Sequence, residues 1–269
     1  MSELSILICT INDRIASVAE MLLPCRDDVR YVVSWQYTDE SFLELLPPAL
    51  AERDDVCVTT LPGVGLSNNR NNALQHCDTP LAIIADDDVR YTDADFDRII
   101  AAFADNPDAD VLCFQAFAPD SSPLHAYAEA PFDYADAPKG TYFISFEIAF
   151  RTAAPLTTFD PRFGLGSEYL AAGEEEVFLY ESYHLGARVR YVPVRCCTTL
   201  NTETTGTRLL VDARVRRSKG AVHYIMHGYL GAVLRMLRES LLWPVGWRKR
   251  LSMLHDCHDG IRYIAGKKF

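Results

Sequence analysis

Residues 81–85, Leu-Ala-Ile-Ile-Ala, form an apolar run without helical spacing that stops at three consecutive carboxylates, Asp86, Asp87 and Asp88. A short run of this kind, opened by Pro80, reads as a strand buried on both faces, and such strands belong to parallel sheets. That points to an α/β architecture, in which ligands bind beyond the carboxyl ends of the strands. Three adjacent carboxylates there repel one another unless positive charge is brought to them. All-oxygen donors suit a hard divalent cation, and Mg²⁺ commonly shares such sites with phosphate oxygens. The competing reading is a solvated acidic turn leading into the next helix.

The flanking sequence repeats the strand–helix alternation. Strands are predicted over 4–11, 29–35, 56–60 and 111–117, with helices over 15–23, 41–50 and 93–104 and a loop running into a helix over 65–77. Alternation of this type implies βαβ units, a mostly parallel sheet and right-handed crossovers. The second half changes character. A strand is expected over 141–150, a glycine-containing loop over 163–173, a helix over 174–185, a strand over 188–194 and a threonine-rich loop over 198–207. A long helix over 222–242 ends at Pro244, and a last helix covers 247–264.

At 269 residues and 49% hydrophobic content, the chain suits one large α/β domain or a domain with an appendage. Its net charge of −11 is unevenly spread. From Thr205 onward there are 13 Lys+Arg against 4 Asp+Glu, whereas residues 1–204 carry 13 against 33. The acidic bulk argues against nucleic-acid binding, and the basic end points to an anionic surface or ligand. Eight cysteines without a C-x-x-C pair read as buried free thiols of a reducing cytosol. No signal peptide is expected, and no stretch reaches the ~20 apolar residues of a membrane span. A cytoplasmic protein, soluble or peripheral at the inner face of the membrane, is expected.

Four patterns carry the chemistry, in this order: Leu4-Ser-Ile-Leu-Ile-Cys-Thr-Ile-Asn-Asp-Arg14; Gly65-Leu-Ser-Asn-Asn-Arg-Asn-Asn-Ala-Leu74; the triplet at 86–88; and Phe163-Gly-Leu-Gly followed by Gly173-Glu-Glu-Glu-Val-Phe178. Over residues 4–200 this set resembles the family 2 glycosyltransferases of GT-A fold, which move a sugar from a nucleotide diphosphate to an acceptor hydroxyl. The resemblance implies a Rossmann-like nucleotide-binding sheet over about 1–118, a mixed acceptor-binding half over about 119–204, and a basic helical extension at 205–269. It also implies a metal-dependent, inverting, hexosyltransferase-type enzyme using Mg²⁺ or Mn²⁺ and a nucleotide-sugar, a UDP-sugar being expected. Its acceptor would be a glycan or lipid-linked molecule in polysaccharide or glycoconjugate synthesis.

By the same resemblance, Asp86 and Asp88 occupy the outer positions of the DXD motif. Asp88 is the preferred metal ligand, Asp86 a donor contact and second ligand, and Asp87 a neighbour at the donor or a structural residue. Thr10, Asn12 and Arg14 fall on the nucleotide loop, with a helix cap as the other reading of Asn12. Arg70, early in a helix behind a glycine-led loop, suits diphosphate. Glu175 stands where the family's catalytic Asp is expected, with Glu174 and Glu176 as competitors for the base. Acids in a first helical turn also complement the helix dipole.

Two departures from the family stand out. The base-reading acid after the second strand is missing, which leaves Ser34, Gln36 or main-chain groups. The late metal-binding His is also missing, which leaves Asn201 or Glu203. His223 and His227, one turn apart, read as packed-helix residues. Around Trp243, Trp247, Arg248, Lys249 and Arg250, aromatic and apolar residues mix with positive charge. This suits an interfacial helix on anionic membrane, or else a packing helix or homodimer interface. The alternatives to transfer are a sugar-nucleotide nucleotidyltransferase, although no glycine follows the first strand, and a non-catalytic nucleotide-sugar-binding scaffold.

Overall fold

A computed structural model describes residues 3–201 and 205–266. Its elements run β1 (Leu4–Ile11), α1 (Ile15–Val18), β2 (Val29–Tyr37), α2 (Pro48–Ala51), β3 (Val56–Pro62), α3 (Leu66–Gln75), β4 (Leu81–Asp86), β5 (Val89–Arg90) and α4 (Asp93–Asp105). They continue with β6 (Val111–Phe117), β7 (Phe132–Asp133), β8 (Ile148–Arg151), α5 (Glu174–His184), β9 (Val189–Thr199), α6 (Ala213–Ser240) and α7 (Trp247–Ile264).

The chain divides into two compact units. The first is Met1–Val64, Asn68–Thr158 and Glu181–Thr202; the second is Gly65–Ser67, Phe159–Tyr180 and Glu203–Phe269. In the first unit, one mixed sheet has the order β3-β2-β1-β4-β8-β6-β9-β5, with β7 paired to β9. β3, β2, β1 and β4 are mutually parallel, as the alternating pattern requires. β8 runs antiparallel to both β4 and β6, so the second half is mixed. The core of this unit contains Ile6, Ile8, Val33, Trp35, Ile83, Phe96, Ile99 and Phe114, contributed by the strands and α4. α4 is closed at its start by a reciprocal box in which Thr92 and Asp95 each satisfy the other's backbone N–H.

Several expected elements take a different form. The helix over 41–50 is instead a 3-10 segment at Glu40–Leu45 followed by the short α2. Pro47 and Pro48 lack N–H donors and force extended backbone before them, which ends the first segment. The strand over 141–150 is only β8, preceded by a 3-10 turn at Ser145–Glu147. Buried Glu147 draws the Ile144 N–H (2.9 Å), the Tyr127 hydroxyl and His125 Nε2 (3.0 Å), and these partners hold the segment in a turn instead of a ladder. The helix over 15–23 is α1 flanked by 3-10 turns. The cysteines are all free, but Cys25 and Cys57 are exposed rather than buried.

In the second unit, α6 begins earlier than expected, with Asp212 accepting from Arg214 N at 2.8 Å, and it is interrupted at Gly228, where φ is 66°. Only glycine takes that conformation without strain, so the break is written at one position. α6 and α7 meet backbone to backbone. A Cβ on Gly220 would lie 1.9 Å from the Cys257 carbonyl oxygen, and one on Gly260 would lie 1.9 Å from that of Arg217. Gly220→Ala should therefore push the helices apart and cost about 1–3 kcal/mol or more in chemical denaturation. Gly246→Ala meets open space, so it lacks the clash and, at the N-cap of α7, should cost only the ~0.5–1 kcal/mol of a weaker cap.

Candidate active site

β1 sits between β2 and β4, so the connections leave it in opposite directions and open a crevice at the carboxyl ends of β1 and β4. The register sets Cys9 opposite Asp86, which brings Thr10, Asn12 and Arg14 to the level of the acid triplet. The three acids are not equivalent. Asp87 is buried, accepting from Thr10 Oγ1 at 2.7 Å and Arg14 Nε at 2.9 Å, with Arg14 Nη2 completing the fork. Burial pushes its carboxyl above the usual range, against the pull of Arg14 and Thr10. Asp86 lies 3.5 Å from Arg70 Nη2 and accepts from the Ser145 hydroxyl at 3.3 Å. Asp88 is pushed up by burial and then by the charges of Asp86 and Asp87, with Arg14 opposing. Arg14 is thus committed chiefly to Asp87, and Asp88 faces the charges of Asp86 and Asp87 with only distant help from Arg14.

A polar network holds the floor of this crevice. Asn69 Nδ2 donates to the Thr10 carbonyl at 3.0 Å, and the Ser34 hydroxyl donates to Asn69 Oδ1 at 2.6 Å. Asn72 Nδ2 reaches Ser34 Oγ at 2.8 Å. Ser34 and Gln36 are both buried, and the Arg70 side chain is only 2% exposed. Asn12 is not a helix cap. Its φ of 52° turns the chain after β1, its carbonyl accepts from Trp35 Nε1 (2.9 Å), and its side-chain oxygen accepts from Thr38 N (2.9 Å). Asn tolerates this left-handed conformation better than most residues.

Downstream, the Leu200 N–H donates to the Asp88 carbonyl at 3.0 Å, so the end of β9 reaches the triplet through its backbone. Asn201 follows directly, its N–H meeting Thr199 Oγ1 at 3.3 Å, while Glu203 lies outside the described residues. Sequence reasoning passed over Ser145, Asn69 and Asn72. The asparagines stood inside a motif singled out for Arg70, whereas Ser145 was hidden by reading its segment as strand.

In the second unit, α5 opens with Glu174, Glu175 and Glu176. Gly173 before it has φ of 93°, and a Cβ there would sit 2.6 Å from Val222. Glu174 is buried, its carboxyl carbon 3.0 Å from where a Gly164 Cβ would stand. Gly164 of the Phe163-Gly-Leu-Gly pattern thus gives room to this acid. Burial and then the Glu175 charge push Glu176 up to about 7, opposed by Lys219. A carboxyl raised in the folded state costs stability once it ionises, so that cost is absent below about 4.5 and complete above about 7. Glu176→Gln should therefore stabilise the protein at pH 8 more than at pH 5, read as the melting temperature across that window. His223 contacts Glu239 at 3.2 Å and belongs to the packed face of α6.

None of the curated protein sequences compared matches the chain. Solved structures do. The crystal structure of S. aureus TarS 1–349 aligns with a TM-score of 0.59 at 16% identity, covering 98% of this chain and 83% of that one. The same TarS fragment in complex with UDP-GlcNAc aligns at 0.57, and in complex with UDP at 0.56, both at 16% identity and the same coverage. At that identity the likeness establishes a shared fold. The sequence profile of glycosyl transferase family 2 matches residues 5–159, more than half of the chain and including the triplet, Arg70 and the β1 loop, and on that match the chain belongs to glycosyltransferase family 2.

Proposed function

We propose that this glycosyltransferase moves a sugar from a UDP-sugar to an acceptor hydroxyl with inversion, in polysaccharide or glycoconjugate assembly. The observation that carries this reading is the unequal acid triplet. Asp87 is paired with Arg14, while Asp86 lies beside Arg70 and Asp88 sits among neighbouring negative charge. The TarS complexes with UDP and UDP-GlcNAc support the choice of nucleotide.

Among the described residues, no three His, Cys, Asp or Glu side chains gather as a metal-binding group. The donor set nonetheless fits a shared site. The carboxylates of Asp86 and Asp88 are hard oxygen ligands, and Asp88 is raised by neighbouring negative charge that a cation would offset. They would hold Mg²⁺ or Mn²⁺ together with diphosphate oxygens, and the ion supplies Lewis-acid stabilisation of the leaving diphosphate. Arg70 adds a fixed positive charge at the diphosphate, and Thr10, Asn12 and Arg14 shape the nucleotide loop. Ser34 and Gln36 line the base side at the end of β2. Glu175 takes the proton from the acceptor hydroxyl as that oxygen attacks the anomeric carbon, with Glu174 as the alternative base.

A screen of nucleotide-sugars for hydrolysis and thermal shift, with and without Mn²⁺ or Mg²⁺, tests the reading. Metal-dependent UDP release is expected, and ligand at about 100 times its Kd should stabilise by about 2.7 kcal/mol. Failure to bind any nucleotide under any of these conditions overturns it.

A further inference from the structure

After its break at Gly228, α6 carries a row of leucines that nothing in its own unit covers. Leu230, Leu234, Leu237 and Leu241 recur at spacings of four, three and four, which places them within about 60° on one helix face. Leu230 is 75% exposed, Leu234 67% and Leu241 69%. Leu242, at 85%, extends the row into the turn before α7, and Trp247 and Leu251 stand exposed on the first turns of α7. The opposite side of the same segment is a packed core of Ala232, Met236, Trp243, Met253 and Cys257. The helices are therefore already held in place, and the leucines are surplus to that packing. A contiguous apolar patch of this kind marks an interaction surface.

Charge identifies what covers it. Residues 213–254 contain nine Lys+Arg and a single acid, Glu239. That acid is tied to Lys219 Nζ at 2.7 Å and His223 Nε2 at 3.2 Å. Arg235 and Arg238 are exposed beside the leucine row, and Arg248 and Lys249 are exposed beside Trp247, with the Arg248 guanidinium 5.3 Å from the Trp247 ring. Apolar side chains rimmed by cations, with an indole at the edge, match the boundary between acyl chains and anionic headgroups. A two-fold pairing with a second copy would bring the same cations face to face without an exposed acid to meet them.

From this arrangement we infer that the Leu230–Leu241 face of α6 and the start of α7 form a docking surface for an anionic lipid bilayer. The leucines and Trp247 enter the interface, and Arg235, Arg238, Arg248 and Lys249 meet the headgroups. No described helix is long and apolar enough to cross a membrane, so the contact is a surface one.

Flotation of the full chain with phosphatidylcholine vesicles, with and without phosphatidylglycerol, tests the inference. The assay contains neither donor nor acceptor, so its outcome is independent of the transfer reaction. The protein should float only with the anionic vesicles and should be released by salt. R235Q/R238Q should weaken partition roughly 25-fold, at about fivefold per cation. L234S/L241S, both at exposed positions, should weaken it about tenfold or more per leucine while leaving the melting temperature unchanged. Three results overturn the inference: no flotation with anionic vesicles, equal flotation with neutral ones, or unchanged binding by both double variants. A concentration-dependent dimer that L234S/L241S dissolves, without vesicle binding, would assign the surface to a second copy instead.

Discussion

Glu175→Gln should lower sugar transfer by about 10²- to 10⁴-fold while leaving UDP-sugar binding intact, the range expected for loss of a general base. The substitution keeps the length and shape of the side chain and removes only its ability to accept the acceptor proton. Donor affinity, read by thermal shift or calorimetry with the divalent ion present, should therefore match that of the native chain. The neighbouring acids sharpen the test. Glu174 is buried against the Gly164 turn, so Glu174→Gln changes the hydrogen bonding of a buried group as well as its charge. Glu176, raised to about 7 by burial and the Glu175 charge, is the competitor whose environment suits proton exchange near neutrality. If Glu175→Gln transfers normally and Glu176→Gln does not, the base has been assigned one residue too early.

The helix that carries these acids was legible from sequence because its start is punctuated. Gly173 takes a positive φ that other residues resist, and three acids then suit the helix N-terminus. β1, β4 and β6 were legible for a similar reason, since strands buried on both faces leave unbroken apolar runs. In two places where the reading failed, the deciding partner lay some way along the chain. Nothing near residue 145 announces a turn, because the turn depends on Glu147 meeting Tyr127 and His125 some twenty residues upstream. Asn12 likewise stayed open between loop and cap because its partners, Trp35 and Thr38, come from the next strand and its end. The break in α6 was written as Gly228 but sat inside an otherwise regular apolar pattern. Helical periodicity records which faces are buried and does not record a change of direction.

The site shows the same division. The triplet was visible as a motif, but the difference among its members is a tertiary property. Only folding brings Arg14 and Thr10 onto Asp87, and Arg70 and Ser145 towards Asp86. Removing Asp88 should therefore have two opposite effects. Its carboxyl is raised in the folded state by burial and by Asp86 and Asp87, so its ionised form at neutral pH costs stability in the metal-free protein. Asp88→Asn should raise the metal-free melting temperature at pH 7, and the difference from the native chain should shrink as pH falls through the carboxylate range. The same change should abolish the extra stabilisation that Mn²⁺ gives in the presence of UDP and should lower transfer by at least about 10²-fold, because a ligand of the charge-stabilising ion is lost. Asp87→Asn should behave differently, since the amide keeps an acceptor for Thr10 but loses the carboxylate fork with Arg14, so its stability gain should be smaller than that of Asp88→Asn with or without metal. A stability gain paired with a functional loss is the signature of a charge kept for a ligand, and it separates Asp88 from a solvated acidic turn. If Asp88→Asn leaves the metal response of UDP binding unchanged, the ion is held elsewhere and the triplet is structural.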